Sequence, residues 1–117
     1  MLARFARLFR RPAVAPVWVE VEELRRWLAG EGAPIVVDVR GAGEFDGPLG
    51  HIEGARNIPL PELPAHTKAL AAEGRPLVML CLSDKRSSQA AAELVAAGKR
   101  DIAVLRGGMR AWRATIG

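Results

Sequence analysis

Leu77-Val78-Met79-Leu80-Cys81-Leu82, followed by Ser83-Asp84-Lys85-Arg86 and then by Ser87-Ser88-Gln89-Ala90-Ala91-Ala92-Glu93-Leu94-Val95-Ala96-Ala97-Gly98, carries most of the architecture. The first six residues are apolar without alternation, the pattern of a strand covered on both faces. From Ser87 to Ala97 the composition is alanine-rich and helical, with Ser87 placed to cap the start and Gly98 to stop the end. A doubly covered strand feeding a helix is half of a βαβ unit, so the pattern predicts a mostly parallel sheet with helices on both faces.

The flanking sequence repeats the theme. Val21, Leu24, Trp27 and Leu28 are helically spaced, and Gly30 and Gly32 end that helix. Pro34 introduces the apolar run Ile35-Val36-Val37, with Asp38, Val39 and Arg40 at its close. A glycine-rich loop, a short strand near Ala55–Ile58 and a helix over Pro61–Ala72 follow, the last weakened at its start by Pro64. Ile102–Leu105 reads as a further apolar strand and Met109–Ala114 as a final helical turn or two. Ligands of such sheets bind beyond the carboxyl ends of the strands, which directs attention to Asp38–Arg40 and to Cys81.

Length and composition narrow the function classes. A chain of 117 residues is about one domain, which argues against separate cofactor and substrate lobes. One cysteine excludes an internal disulfide and a two-cysteine redox relay, and with two histidines it leaves no expected metal site. The net charge of +4 is local. Arg4, Arg7, Arg10 and Arg11 precede any acid, leaving 13 basic against 13 acidic residues from Pro12 onward. Charge therefore gives no support for nucleic-acid binding by the folded part.

Residues 1–17 read as a basic tail and 18–117 as the domain. Leu2, Phe5, Leu8 and Phe9 share one side of a short amphipathic helix ended by Pro12 and Pro16. The first reading of this tail is a loosely ordered or docked segment; the second is a weak contact with a membrane surface or a partner, and the third a targeting segment. No apolar run approaches the ~20 residues of a membrane span, and the expected location is the cytoplasm.

The chemistry centres on Cys81. A loop between a strand and a helix directs free backbone amides and the positive end of the helix dipole toward one point. A sulfur at the base of that loop is favoured as thiolate. Lys85 and Arg86 strengthen the field, Arg86 also being able to grip an anion through a forked pair of hydrogen bonds, while Asp84 opposes it. Alone, the Cys-x4-Arg spacing is weak, because a chain with 14 arginines meets it often by chance. A lone cysteine ending a buried strand is also commonly just a small core residue.

The residues also resemble a known family. Asp38-Val39-Arg40, Glu44-Phe45, Gly50-His51-Ile52-Glu53-Gly54-Ala55-Arg56-Asn57-Ile58-Pro59, Cys81 to Ser87, and Gly107-Gly108-Met109-Arg110-Ala111-Trp112 are similar, in order and spacing, to the signatures of rhodanese-like domains. The likeness spans about residues 18–117. It implies a five-stranded parallel α/β sheet and sulfur transfer through a persulfide on Cys81. Leu82, Ser83, Asp84, Lys85, Arg86 and Ser87 would form the substrate loop. No cofactor is implied. The implied partners are a sulfane-sulfur donor such as thiosulfate and a thiophilic acceptor: cyanide, glutathione or a protein thiol. The alternative is a module with low activity on small donors, carrying a persulfide for a protein partner.

Two departures stand out. Asp84 occupies a loop position often held by glycine, where it is expected to accept a left-handed backbone and to add negative charge near an anion site. Asp46–Leu49 is two residues longer than the common spacing. Phosphatases related to this fold, and protein tyrosine phosphatases, use Cys-x5-Arg, whereas the sixth residue after Cys81 is Ser87, so phosphatase chemistry is disfavoured. Asp38 and Arg40 read as supports bonded to neighbouring loops, with Glu44 as Arg40's expected partner. His51 reads as a loop hydrogen bond, and Gly107-Gly108 as a tight turn before the last helix.

Overall fold

The structure, a computed structural model, describes residues 16–117; the tail helix expected over Leu2–Phe9 lies outside the described residues. Five strands, β1 (Val17–Val19), β2 (Ile35–Asp38), β3 (Arg56–Asn57), β4 (Leu77–Leu80) and β5 (Ile102–Leu105), form one sheet in the order β1-β5-β4-β2-β3. Every pairing is parallel. The helices are α1 (Val21–Leu28), α2 (Ala42–Phe45), α3 (Thr67–Ala71), α4 (Lys85–Ala96) and α5 (Gly108–Ile116), with a 3₁₀ helix at Leu60–Ala65.

Alternation along the central strands divides the core in two. Ile35, Val37, Leu77, Met79, Cys81, Ile102 and Val104 pack on one face with Leu63, Leu70, Ala90, Ala91 and Leu94. Val36, Val78, Leu80, Ala103 and Leu105 face the other way, against Leu24 and Trp27 of α1 and Met109 and Trp112 of α5. Every residue of β2, β4 and β5 is buried, because helices cover both sides. Ala90 and Ala91 are wholly buried and let α4 approach the sheet closely.

Several boundaries differ from the sequence reading. β1 is an additional strand beginning at Val17, its middle residue Trp18 exposed beneath the Arg106 guanidinium, 4.7 Å from the ring centre. The segment Pro61–Ala72 is a 3₁₀ helix followed by a short α-helix rather than one helix, Pro64 lacking the amide a continuous α-ladder needs. The glycine-rich loop contains α2, where the Glu44 carboxylate accepts the Gly41 amide at 3.2 Å and so satisfies an otherwise free helix-start donor. Helix α4 begins at Lys85 with Asp84 at its N-cap, so Ser87 lies inside the first turn and not at the cap.

This topology creates the crevice that matters. β2 and β4 are neighbours, but β2 continues outward to β3 while β4 continues in the opposite direction to β5. The chains leaving their carboxyl ends therefore diverge and open a gap between them. Cys81 stands at one lip, Arg40 and Glu44 at the other.

Candidate functional site at the carboxyl ends of β2 and β4

Cys81 follows the last residue of β4 and points to the α4 face, where it is 1% exposed. Its sulfur meets two groups of one residue. The Ser87 amide donates to Sγ at 3.3 Å, and the Ser87 hydroxyl lies 3.3 Å from Sγ. That hydroxyl is also 3.2 Å from the Asp84 carbonyl, which accepts the Ser88 amide as well. The hydroxyl can thus turn its single proton to the sulfur without leaving the carbonyl unbonded.

The sequence reading expected several amides to converge on the sulfur; among the described residues only that of Ser87 reaches it. The amides of Leu82, Ser83 and Asp84 donate to no acceptor among the described residues. Those of Lys85 and Arg86 are first-turn donors of α4, which a helix leaves without internal partners.

The loop is held from behind by α5. The Met109 amide donates to the Cys81 carbonyl at 2.9 Å and the Arg110 amide to the Leu82 carbonyl at 3.1 Å, so first-turn donors of one helix hold the loop backbone. Gly108 makes this approach possible. Its φ is +56°, and a β-carbon there would stand 2.3 Å from the Cys81 carbonyl oxygen and 2.6 Å from that of Ser83. Sequence reasoning took Gly107-Gly108 only as a turn. The signal available was a glycine pair opening a helix after the strand that flanks β4.

Asp84 departs from expectation. Its φ is −131°, not left-handed. Its carboxylate accepts the Gly107 amide at 2.7 Å, so it ties the loop to the turn before α5.

Across the crevice, Arg40 and Asp38 form a buried ion pair, Nη2 to Oδ2 at 2.7 Å, with Nε also bonded to the carboxylate. Arg40 further donates to the Glu44 and Gly50 carbonyls, and the Asn57 side-chain amide bridges the Asp38 and Arg40 carbonyls. Glu44 is not the carboxylate partner of Arg40. Its carboxylate binds Arg86 instead, end-on, with Nη1–Oε1 at 2.7 Å and Nη2–Oε2 at 2.9 Å. Arg86 is therefore not an open anion fork.

The Arg86 hydrogen bonds, outweighing desolvation and aided by the Gly41 amide, hold the Glu44 carboxyl at about 2. In turn the Glu44 hydrogen bonds raise the Arg86 pKa, with smaller contributions from the charges of Cys81 and Asp38. His51 stacks on Phe45 at 3.6 Å and its Nδ1 lies 2.9 Å from the Phe45 carbonyl, a loop hydrogen bond as read from the sequence. Ser83 and Lys85 are exposed and Leu82 is half-buried.

Among the described residues no group of three or more His, Cys, Asp or Glu is placed to hold a metal ion, and no helix is long and apolar enough to cross a membrane.

Comparison with known proteins bears on the fold and the family. The profile of the Rhodanese-like domain family matches residues 20–115. The chain is 38% identical over 95 residues to the uncharacterized protein YqhL of Bacillus subtilis, covering 81% of this chain and 71% of that one. It is 35% identical over 100 residues to the thiosulfate sulfurtransferase GlpE of Ectopseudomonas mendocina, covering 83% and 82%. The solution structure of the rhodanese-like domain of the Anabaena Alr3790 protein superposes with a TM-score of 0.74 at 31% identity, covering 86% of this chain and 74% of that one. Of some further curated relatives the chain spans less than half the length, 46% of one and 23% of another. With a family profile spanning nearly the whole domain and the five-stranded parallel sheet that the resemblance implied, the chain belongs to the rhodanese-like domain family.

Proposed function

We propose that the protein is a sulfurtransferase that carries sulfane sulfur as a persulfide on Cys81. The observation that supports this most is the double contact of Sγ with the Ser87 amide and hydroxyl at the carboxyl end of β4. Both groups can donate to a negatively charged sulfur, and hydrogen bonds to charged groups are the stronger kind.

In this reading the Cys81 thiolate attacks the outer sulfur of a donor. The bond within the donor breaks, its electron pair leaves with the departing anion (sulfite from thiosulfate), and a persulfide remains on Cys81. The unbonded amides of Leu82, Ser83 and Asp84 supply further donors for the charge that develops, and Lys85 adds a cation to the loop. A second thiophile, such as cyanide or a thiol, then removes the outer sulfur. No second cysteine exists in the chain, so the acceptor comes from outside. Asp38, Arg40 and Asn57 are positioning residues that fix the opposite lip. The working unit is residues 18–117, and deletion of residues 1–16 leaves turnover unchanged.

The burial of Cys81 favours a second reading, a persulfide carrier whose protein partner opens the loop and which reacts poorly with small donors. Mass spectrometry separates the two. Thiosulfate or another sulfane donor should add about 32 Da to Cys81, removable by cyanide, and nothing to Cys81→Ser. An intact mass that no small donor changes would favour the carrier.

A further inference from the structure

Two features of the chain play no part at Cys81, and the sheet brings them to one edge. The first is the basic segment. Arg4, Arg7, Arg10 and Arg11 stand among residues 1–11 without an acid, while the charges from Pro12 onward cancel. Leu2, Phe5, Leu8 and Phe9 recur there at helical spacing, so the amino-acid order separates an apolar side from a cationic one. The second feature is Trp18. Val17 and Val19 turn to the α1 and α5 side of the core, and alternation turns Trp18 to the opposite face, where it is 38% exposed. Trp27 and Trp112 are buried.

β1 is an outermost strand, paired among the described residues with β5 alone. Register sets Val17 opposite Ala103, so the chain enters β1 beside the turn that precedes β5. In that turn Arg100 is exposed and in no ion pair among the described residues, whereas Asp101 is held by Lys99 at 3.0 Å. The Arg106 guanidinium lies over the Trp18 ring, and Glu20 is paired with Arg106 at 2.8 Å. Glu22 and Glu23, in the first turn of α1, engage Arg25 and the Glu20 amide. Cations beside an exposed indole suit a lipid headgroup layer. Its phosphates attract the arginines, and tryptophan favours the boundary between headgroups and acyl chains.

We propose that residues 1–11 and the β1 edge form a docking surface for a bilayer of anionic lipid. The arginines meet the headgroups, and Trp18 enters the boundary with the apolar residues of the segment. The crevice stays clear of that surface. β4 lies two strands in from β1, about 10 Å at ordinary strand spacing. Cys81 follows its carboxyl end, whereas the basic segment precedes the amino end of β1.

The test is flotation of the full chain with vesicles of equal parts phosphatidylglycerol and phosphatidylcholine, against vesicles of phosphatidylcholine alone. Binding is expected only to the anionic vesicles and should fall as added salt screens the charges. Arg7→Gln combined with Arg10→Gln should weaken it about tenfold or more, and Phe5→Ser combined with Phe9→Ser by a similar factor. All four positions precede the sheet, so these variants leave its packing intact. Tryptophan emission is the second readout. Brominated lipid in the anionic vesicles should quench Trp18, and Trp18→Phe should abolish the quenching while weakening binding only slightly. Iodoacetamide should alkylate Cys81 at one rate in bound and free protein. The proposal is overturned if the wild type does not float, floats equally with neutral vesicles, or is indifferent to the arginine pair. Bound protein without quenching overturns the role of the β1 edge, and slower alkylation on vesicles overturns the clear crevice. Retention on immobilised polyglutamate without flotation assigns the segment to an acidic protein and overturns the lipid surface.

Discussion

At the scale of single residues, the decisive side chain after Cys81 is Ser87, because both of its donors touch the sulfur. Ser87→Ala keeps the amide contact and removes the hydroxyl, and a hydrogen bond to a charged group contributes about 1.5–3 kcal/mol. Alkylation of Cys81 by iodoacetamide at pH 7 should slow by about tenfold or more, while the Asp84 carbonyl keeps its bond to the Ser88 amide. An unchanged rate would mean that the hydroxyl serves only the helix start. Arg40 is the second such residue, though its role is support. Arg40→Met would leave the buried Asp38 carboxylate without its cation, and breaking a buried pair costs about 3–5 kcal/mol. Urea unfolding should show a loss of that size.

At the scale of elements, α5 and the Cys81 loop are joined through Gly108. An alanine there must enter space filled by backbone atoms of Cys81, Leu82 and Ser83 while also adopting a positive φ. Gly108→Ala should therefore destabilise the fold by about 3 kcal/mol or more. Gly54, with φ +85° but open space within 4 Å of where a methyl would stand, is the control: Gly54→Ala should cost only about 1 kcal/mol. Equal losses at both positions would show that φ alone, and not the close approach to the loop, sets the penalty.

The elements also show what the amino-acid order could and could not convey. β2, β4 and β5 were legible because strands buried on both faces need unbroken apolar runs. β1 was not, since three residues with an exposed tryptophan in the middle carry no such run, and two-residue β3 was legible only in outline. The loop from Cys81 to Ser87 stood out for its place between a strand and a helix. Its contacts did not. Glu44 and Arg86 are 42 residues apart, and nothing local distinguishes Arg86 from nearer Arg40 as the acid's partner. The clue was topological: an acid in the first turn after β2 and an arginine in the first turn after β4 face one another once those strands are adjacent. Likewise, Ser87 looked like a cap because serine favours caps; Asp84 holds that position and frees Ser87 for the sulfur.

At the scale of the whole molecule, the Glu44–Arg86 pair joins the two lips of the crevice and makes stability depend on acidity. The Glu44 carboxyl sits at about 2 in the folded protein against an ordinary 4.5. A depressed acid contributes stability that is complete above its ordinary value and is lost as pH falls from 4.5 toward 2. Because Glu44 is 40% exposed, water screens the pair and the contribution is about 1 kcal/mol. Urea midpoints of wild type and Glu44→Gln should differ at pH 6 and converge near pH 2. A gap that persists at pH 2 would assign the difference to packing rather than charge.

The grip of Met109 and Arg110 on the carbonyls of Cys81 and Leu82 also has a consequence for biosynthesis. Translation reaches Cys81 well before it reaches the residues that secure its loop. On the ribosome, a nascent polypeptide that has extruded Cys81 but not Arg110 bears a thiol whose loop is unsecured, and an mRNA cut short between those codons yields a product without that grip.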